Sequence, residues 1–166
     1  LVEDGIAYFG AGLFPAEGTY LEAVRARDGA TVWRNDALGE KNLGGKAENR
    51  EINFSPQGYL LATATNLFVP MGRATPAWFN RQDGALLGTM AFGKHIGGTF
   101  ALISQGTLYT GTEEIIGMNT ARRTTPGAWF EGRMVVLTPE KAYLAGDKEM
   151  MALDRAAHAK ISARRF

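Results

Sequence analysis

The chain has 166 residues, 45% of them hydrophobic, with 18 basic and 17 acidic side chains, a net charge of +1 and no cysteine. That length suits one domain with a sizeable core, and a near-neutral charge argues against a dedicated nucleic-acid binder, which carries a basic excess. The lack of cysteine excludes disulfides, thiolate metal centres and cysteine nucleophiles, and no apolar run approaches the ~18 residues needed to span a bilayer as a helix.

In chain order, the sequence opens on Leu1-Val2-Glu3-Asp4-Gly5 without a signal-peptide pattern. A first strand is expected at 6–10 (IAYFG), then a long connection at 10–22, then AVRARDGATVW from Ala23. Asp28-Gly29 between two strand-like runs is a strong hairpin signal. The connection at 34–57 is polar and mixed in charge, with Lys41, Lys46, Glu48, Arg50 and Glu51, and reads as a solvated loop. Strands follow at 58–64 (GYLLATA) and 67–72 (LFVPMG), then a second hairpin, WFNRQDGALLG, from Trp78 with Asp83-Gly84 at its turn. The pattern returns at 98–104 (GTFALIS), 108–112 (LYTGT) and GMNTARRTTPG from Gly117. It returns again at 132–138 (GRMVVLT), 142–147 (AYLAGD) and ALDRAAHAKIS from Ala152.

Aligned on these hairpins, the chain is a four-strand unit repeated at an interval near ~40 residues, which is the signature of a β-propeller blade. With the strands named A to D from the innermost outward, the A strands are the most continuously apolar and are expected to be buried on both faces. The expected fold is all-β, a propeller segment of about four four-stranded antiparallel blades in one domain, at approximately 5–36, 55–90, 97–128 and 131–166. The first blade is expected to be incomplete, because no A strand precedes residue 6, and the last to end on a weak D strand near Lys160–Arg165. An incomplete blade leaves strand edges open, so the chain is expected to be a piece of a larger ring or to be completed by another chain.

The hairpins resemble the quinoprotein-like (PQQ-binding-like) propellers, whose motif is Ala-x-Asp-x-x-Thr-Gly-x-x-x-Trp. AVRARDGATVW keeps Ala23, Gly29 and Trp33; ALDRAAHAKIS keeps Ala152 and Asp154; WFNRQDGALLG keeps Gly84. The resemblance implies that Trp33 is a blade-docking anchor, with Gly29 and Gly84 as structural turn residues. In character the chain is nearest to the non-catalytic, outer-membrane-assembly type, which implies a scaffold for a protein, peptide or polysaccharide in the periplasm or another exported location. The alternative within that family is a pyrroloquinoline quinone dehydrogenase with bound PQQ and calcium. None of that enzyme's site residues maps onto this sequence, so no cofactor is expected outside that alternative and the enzyme assignment leans to no.

Strands alternate direction in a meander. The long B–C and D–A connections therefore leave one face of the molecule, and the short A–B and C–D turns leave the other. Loops elaborated on one face of a rigid scaffold are where binding residues concentrate. The candidate ligand-face residues are Arg73, Lys94, His95, Glu113 and Glu114. His95 with Glu113 and Glu114, or with Asp147 and Glu149, has the donor types of a divalent-ion site, although the spacing does not demand one and no metal is expected. His158, Arg122, Arg123 and Arg155 fall in C–D turns on the opposite face, where charged tips are ordinary. No GxxxxGK[ST], GxSxG, HExxH or EF-hand pattern occurs.

Overall fold

A computed structural model of the chain describes residues 1–12, 18–38, 54–72, 74–89, 100–111, 114–121 and 126–162. Within them lie four antiparallel sheets. The first holds β1 (Val2–Glu3), β2 (Ile6–Ala11), β3 (Tyr20–Arg25) and β4 (Thr31–Asn35). The second holds β5 (Leu61–Ala62), β6 (Asn66–Met71), β7 (Ala74–Asn80) and β8 (Leu86–Thr89). The third holds β9 (Ala101–Ser104), β10 (Thr107–Thr110), β11 (Glu114–Asn119) and β12 (Pro126–Glu131). The last holds β13 (Met134–Leu137), β14 (Lys141–Ala145) and β15 (Met150–Asp154), and is followed by helix α1 (Arg155–Ser162). Each sheet is an up-and-down meander, and the sheets stack face to face in chain order. This is the arrangement of propeller blades, and the fold is nearly all β.

The stack follows from the two-residue period of a strand. In β6 and β7, Leu67, Val69, Met71, Ala77 and Phe79 turn one way and pack with Tyr8, Leu21, Ala23 and Trp33 of the first sheet. Phe68 and Trp78 turn the other way and pack with Leu108 and Met118 of the third. Tyr109 and Ile115, on the third sheet's far face, meet Val135, Ala142 and Leu144 of the last. A strand covered on both faces cannot alternate apolar with polar, and β6 is accordingly buried at all six positions.

The structure departs from the sequence expectations at four places. The first sheet is complete, because Val2–Glu3 forms its innermost strand, with Val2 opposite Ala7 and Glu3 opposite Ile6. Two residues before an Asp4-Gly5 turn carry too little periodicity to be recognised from sequence. The last sheet is the three-stranded one. Lys160–Arg165 was expected to form its fourth strand, yet the described part of that segment belongs to α1. Ala156, Ala157 and Ala159 favour a helix over a strand, and Asp154 caps it by accepting a hydrogen bond from the Ala157 amide at 2.9 Å. The A strands are not the most buried: β9 is only half-buried throughout, and of 58–64 only Leu61–Ala62 is strand. Burial is higher in the next strand, which has a partner on each side and, in the second and third sheets, a sheet over each face. Finally, the connection at 34–57 is not solvated throughout, because Leu38 and Phe54 are fully buried and Phe54 stands edge-on to Phe79 at 5.4 Å. Lys41, Lys46, Glu48, Arg50 and Glu51 lie outside the described residues.

The Asp154 cap has a pH signature. The bonds from the Ala157 amide and Lys141 hold its pKa below the ordinary aspartate value of 3.8. A depressed carboxylate stabilises the fold above its unfolded pKa, and that contribution is lost as pH falls through the lower folded value. Helical circular dichroism should therefore fall below pH 3.8, and Asp154→Asn, which keeps an acceptor at the cap, should flatten that loss.

Candidate site: one edge of tight turns, one edge of long connections

The four sheets repeat one hydrogen bond at their tight-turn edge. The backbone amide just past the third strand donates to a carbonyl in the turn joining the first two strands. The pairs are Ala26 to Gly5, Arg81 to Thr65, Thr120 to Gly106 and Arg155 to Glu140, each at 2.9 Å. These bonds tie the A–B turn to the end of the C strand in every sheet and put both on the same edge. The B–C and D–A connections leave the opposite edge, but the B–C connections are not all long as expected: β6 ends at Met71 and β7 starts at Ala74, β10 ends at Thr110 and β11 starts at Glu114, and β14 ends at Ala145 and β15 starts at Met150.

On the tight-turn edge, two arginines span neighbouring sheets. Arg81, only 9% exposed, donates from Nε to the Tyr8 hydroxyl at 2.9 Å and from Nη1 to the Thr63 carbonyl at 3.1 Å. Its Nη2 reaches Asp4 at 2.8 Å. Burial disfavours its charge, but the bonds to Tyr8 and Asp4 more than offset this, and its pKa stands above the usual arginine value. Arg155 repeats the device, with Nη1 on the Thr138 carbonyl at 2.6 Å and Nη2 3.4 Å from the Tyr109 hydroxyl. Arg155 was expected to be a solvated tip; it instead links the last two sheets and also reaches Ser104 at 3.0 Å. The sequence signal for both is an Asn-Arg or Asp-Arg pair closing the third strand (Asn80-Arg81, Asp154-Arg155), with a Tyr in the second strand of the preceding unit.

Trp33 crosses the same boundary. Its Nε1 donates to the Arg81 carbonyl at 3.0 Å, and its ring lies 6.1 Å from that of Tyr8. Asn35 donates to the Gly84 carbonyl at 2.7 Å. Gly84, at φ +71°, lies directly under the indole, where an added Cβ would fall 2.6 Å from Cζ3. Gly29 occupies the matching turn of the first sheet at φ +72°, where an added Cβ meets nothing within 4 Å. Alanine at either site carries the left-handed strain of ~1–2 kcal/mol, but only Gly84→Ala must also displace an indole. Chemical denaturation should therefore rank Gly84→Ala well below Gly29→Ala; equal stabilities would mean that the indole is not seated there.

Of the residues expected on the long-connection edge, Arg73, Lys94, His95 and Glu113 lie outside the described residues, as do Arg122 and Arg123, expected on the opposite edge. Glu114 opens β11 opposite Glu131. Asp147 is paired with Arg133 at 2.9 Å, both of them exposed. Among the described residues no three His, Asp or Glu side chains gather as a metal site. His158 lies in α1, not in a hairpin turn. The end of the 34–57 connection folds over this edge between the first two sheets: Gln57 donates to the Pro70 carbonyl at 2.9 Å, and Pro56 presses on Gly10. Thr19, 1% exposed, has no hydroxyl partner among the described residues.

No family model and no curated protein matches this sequence. Among solved structures, the chain is similar to the computationally designed Ika8 protein, at 11% identity and a TM-score of 0.60 over 93% of this chain and 44% of that one. It also aligns with BamB from Moraxella catarrhalis, at 13% identity and a TM-score of 0.47 over 93% of this chain and 59% of that one. The chain thus spans about half the length of the structures it matches, and the likeness is one of fold. Among the described residues no helix is long and apolar enough to cross a membrane.

Proposed function

We propose that this chain is part of a non-catalytic propeller scaffold, exported to the periplasm or a similar compartment, which binds a protein, peptide or polysaccharide through its long-connection edge. The observation that carries this reading is the asymmetry of the two edges. The tight-turn edge is spent on structure: Arg81, Arg155 and Trp33 hold neighbouring sheets together, and the repeated amide bonds tie the strands within each sheet. The opposite edge carries every long connection on a rigid base, which is how binding surfaces are built on repeat folds. Arg73, Lys94, His95, Glu113 and Glu114 are the residues assigned to that surface.

The test is binding to immobilised peptide and glycan arrays. Arg73→Glu or Lys94→Glu should abolish a captured interaction, while Arg27→Glu, on an exposed residue of the opposite edge, should leave it intact. Loss with Arg27→Glu but not with the other two would contradict the assignment. The non-catalytic part is tested separately, because a bound cofactor raises the melting temperature by mass action. Pyrroloquinoline quinone with calcium should give no shift, and a saturable rise would overturn this reading.

A further inference from the structure

We propose that the boundary between the second and third sheets is a built-in joint, at which the chain opens as two units: the first and second sheets in one, the third and fourth in the other. The clamp that joins neighbouring sheets has two halves. One is a tyrosine in the second strand of a sheet, and the other is an arginine just past the third strand of the next. Ladder pairing fixes the first place: Tyr8, Phe68 and Tyr109 stand opposite Ala23, Trp78 and Gly117. The repeated amide bond fixes the second, which is held by Ala26, Arg81, Thr120 and Arg155. Arg81 thus meets Tyr8 across the first boundary, and Arg155 meets Tyr109 across the last. At the middle boundary the two places hold Phe68 and Thr120. Phe68 carries no hydroxyl, and the Thr120 hydroxyl turns back to the Gly106 carbonyl of its own sheet at 3.0 Å.

The tryptophan lock differs in the same way. Trp33 stands opposite Ala23 and crosses to the Arg81 carbonyl. In the second sheet the matching place, opposite Trp78, is Gly88, which has no side chain to cross. The Trp78 ring lies against that glycine, where an added Cβ would fall 3.4 Å from Cζ2. The middle boundary is held instead by an apolar seam of Phe68, Trp78, Leu108 and Met118, with Ile103 packed against it. Apolar burial is non-directional, whereas each clamp fixes one arginine on one hydroxyl. In a stack where each sheet touches only its neighbours, stability is a sum of sheet and boundary contributions. Opening then begins at the boundary without the clamp, and it leaves the Arg81 and Arg155 bonds closed on either side.

Native-state hydrogen exchange of the full chain, followed strand by strand in urea below the unfolding transition, reads the units directly. The slowest amides of β3, β6 and β7 should share one dependence on urea, and those of β10, β11 and β14 another. Arg81→Met should lower protection in β3, β6 and β7 by about tenfold or more, as expected for the loss of a hydrogen bond from a charged group. It should leave β10, β11 and β14 unchanged. Arg155→Met should do the reverse. Phe68→Tyr with Thr120→Arg supplies both halves of the absent clamp. In that background the Arg81→Met loss should spread to β10 and β14. One urea dependence shared by all four sheets would overturn the proposal, as would an Arg81→Met loss of equal size in all four or one confined to a single sheet. A folded Phe68→Tyr/Thr120→Arg chain in which the Arg81→Met loss stays within the first two sheets would also overturn it, because the absent clamp would then not be what makes the joint.

Discussion

Trp33→Ala should destabilise the chain by about 3–5 kcal/mol, the range for truncating a large aromatic in a packed core. The indole is 8% exposed and fills the boundary between the first two sheets, touching Tyr8 on its own sheet and Gly84 on the next. Its removal opens a cavity that a glycine turn cannot collapse to fill, and it leaves the Arg81 carbonyl without the indole donor. Equilibrium denaturation in urea reads the change as a shift of midpoint at constant slope. A midpoint within error of the parent would mean that Trp33 lies on the surface.

Arg81→Ala is the second large effect, at about 2–4 kcal/mol, because hydrogen bonds to a charged group are each worth ~1.5–3 kcal/mol when a buried partner is left unsatisfied. Three partners are stranded: the Tyr8 hydroxyl, the Thr63 carbonyl and the Asp4 carboxylate. Asp4 is 77% exposed and is rehydrated at little cost, so the loss falls mainly on Tyr8 and Thr63. Arg81→Lys should recover only part of it, since an ammonium lacks the planar fork that reaches a hydroxyl and a carbonyl together. Full stability in Arg81→Ala would show that the arginine contributes no linkage between the sheets.

The blade pattern was legible because a strand with a central aromatic (Tyr8, Phe68, Tyr109, Tyr143) returns in every unit, followed in the first two by an Asp-Gly turn. Those signals are local, so they located the turns at Asp28-Gly29 and Asp83-Gly84, but not the start of β7, which begins at Ala74, ahead of the hairpin read from Trp78. They failed where the deciding interaction lies elsewhere. Val2–Glu3 is a strand only because Ala7 and Ile6 offer it a ladder partner. The segment after Asp154 aligned with a hairpin, but its alanines and the Asp154 cap make a helix there. Phe54 looks like an isolated apolar residue in a charged loop until Phe79 is set beside it. The interblade arginines were hidden for the same reason. Arg81 and Tyr8 are far apart in sequence, and a charge beside a hairpin turn ordinarily faces water. Once the amide bond repeated at Ala26, Arg81, Thr120 and Arg155 is seen, their positions align and the role of the two arginines follows. Of the residues assigned to the binding edge, Glu114 is placed at the start of β11, while Arg73, Lys94, His95 and Glu113 remain assignments made from sequence and strand direction.

The face-to-face order of the sheets underlies every other statement about this chain, and a double-mutant cycle between Tyr8→Phe and Arg81→Met tests it most directly. The two residues touch only if the first sheet lies on the second, with the Tyr8 hydroxyl 2.9 Å from Arg81 Nε. Residues in direct contact couple by ~0.5–3 kcal/mol, whereas distant ones add to within ~0.3–0.5 kcal/mol. The stack predicts a coupling of at least about 1 kcal/mol, with a smaller one for Tyr109→Phe with Arg155→Met, whose contact is longer at 3.4 Å. Strict additivity in the Tyr8–Arg81 cycle would contradict the stacking of these sheets.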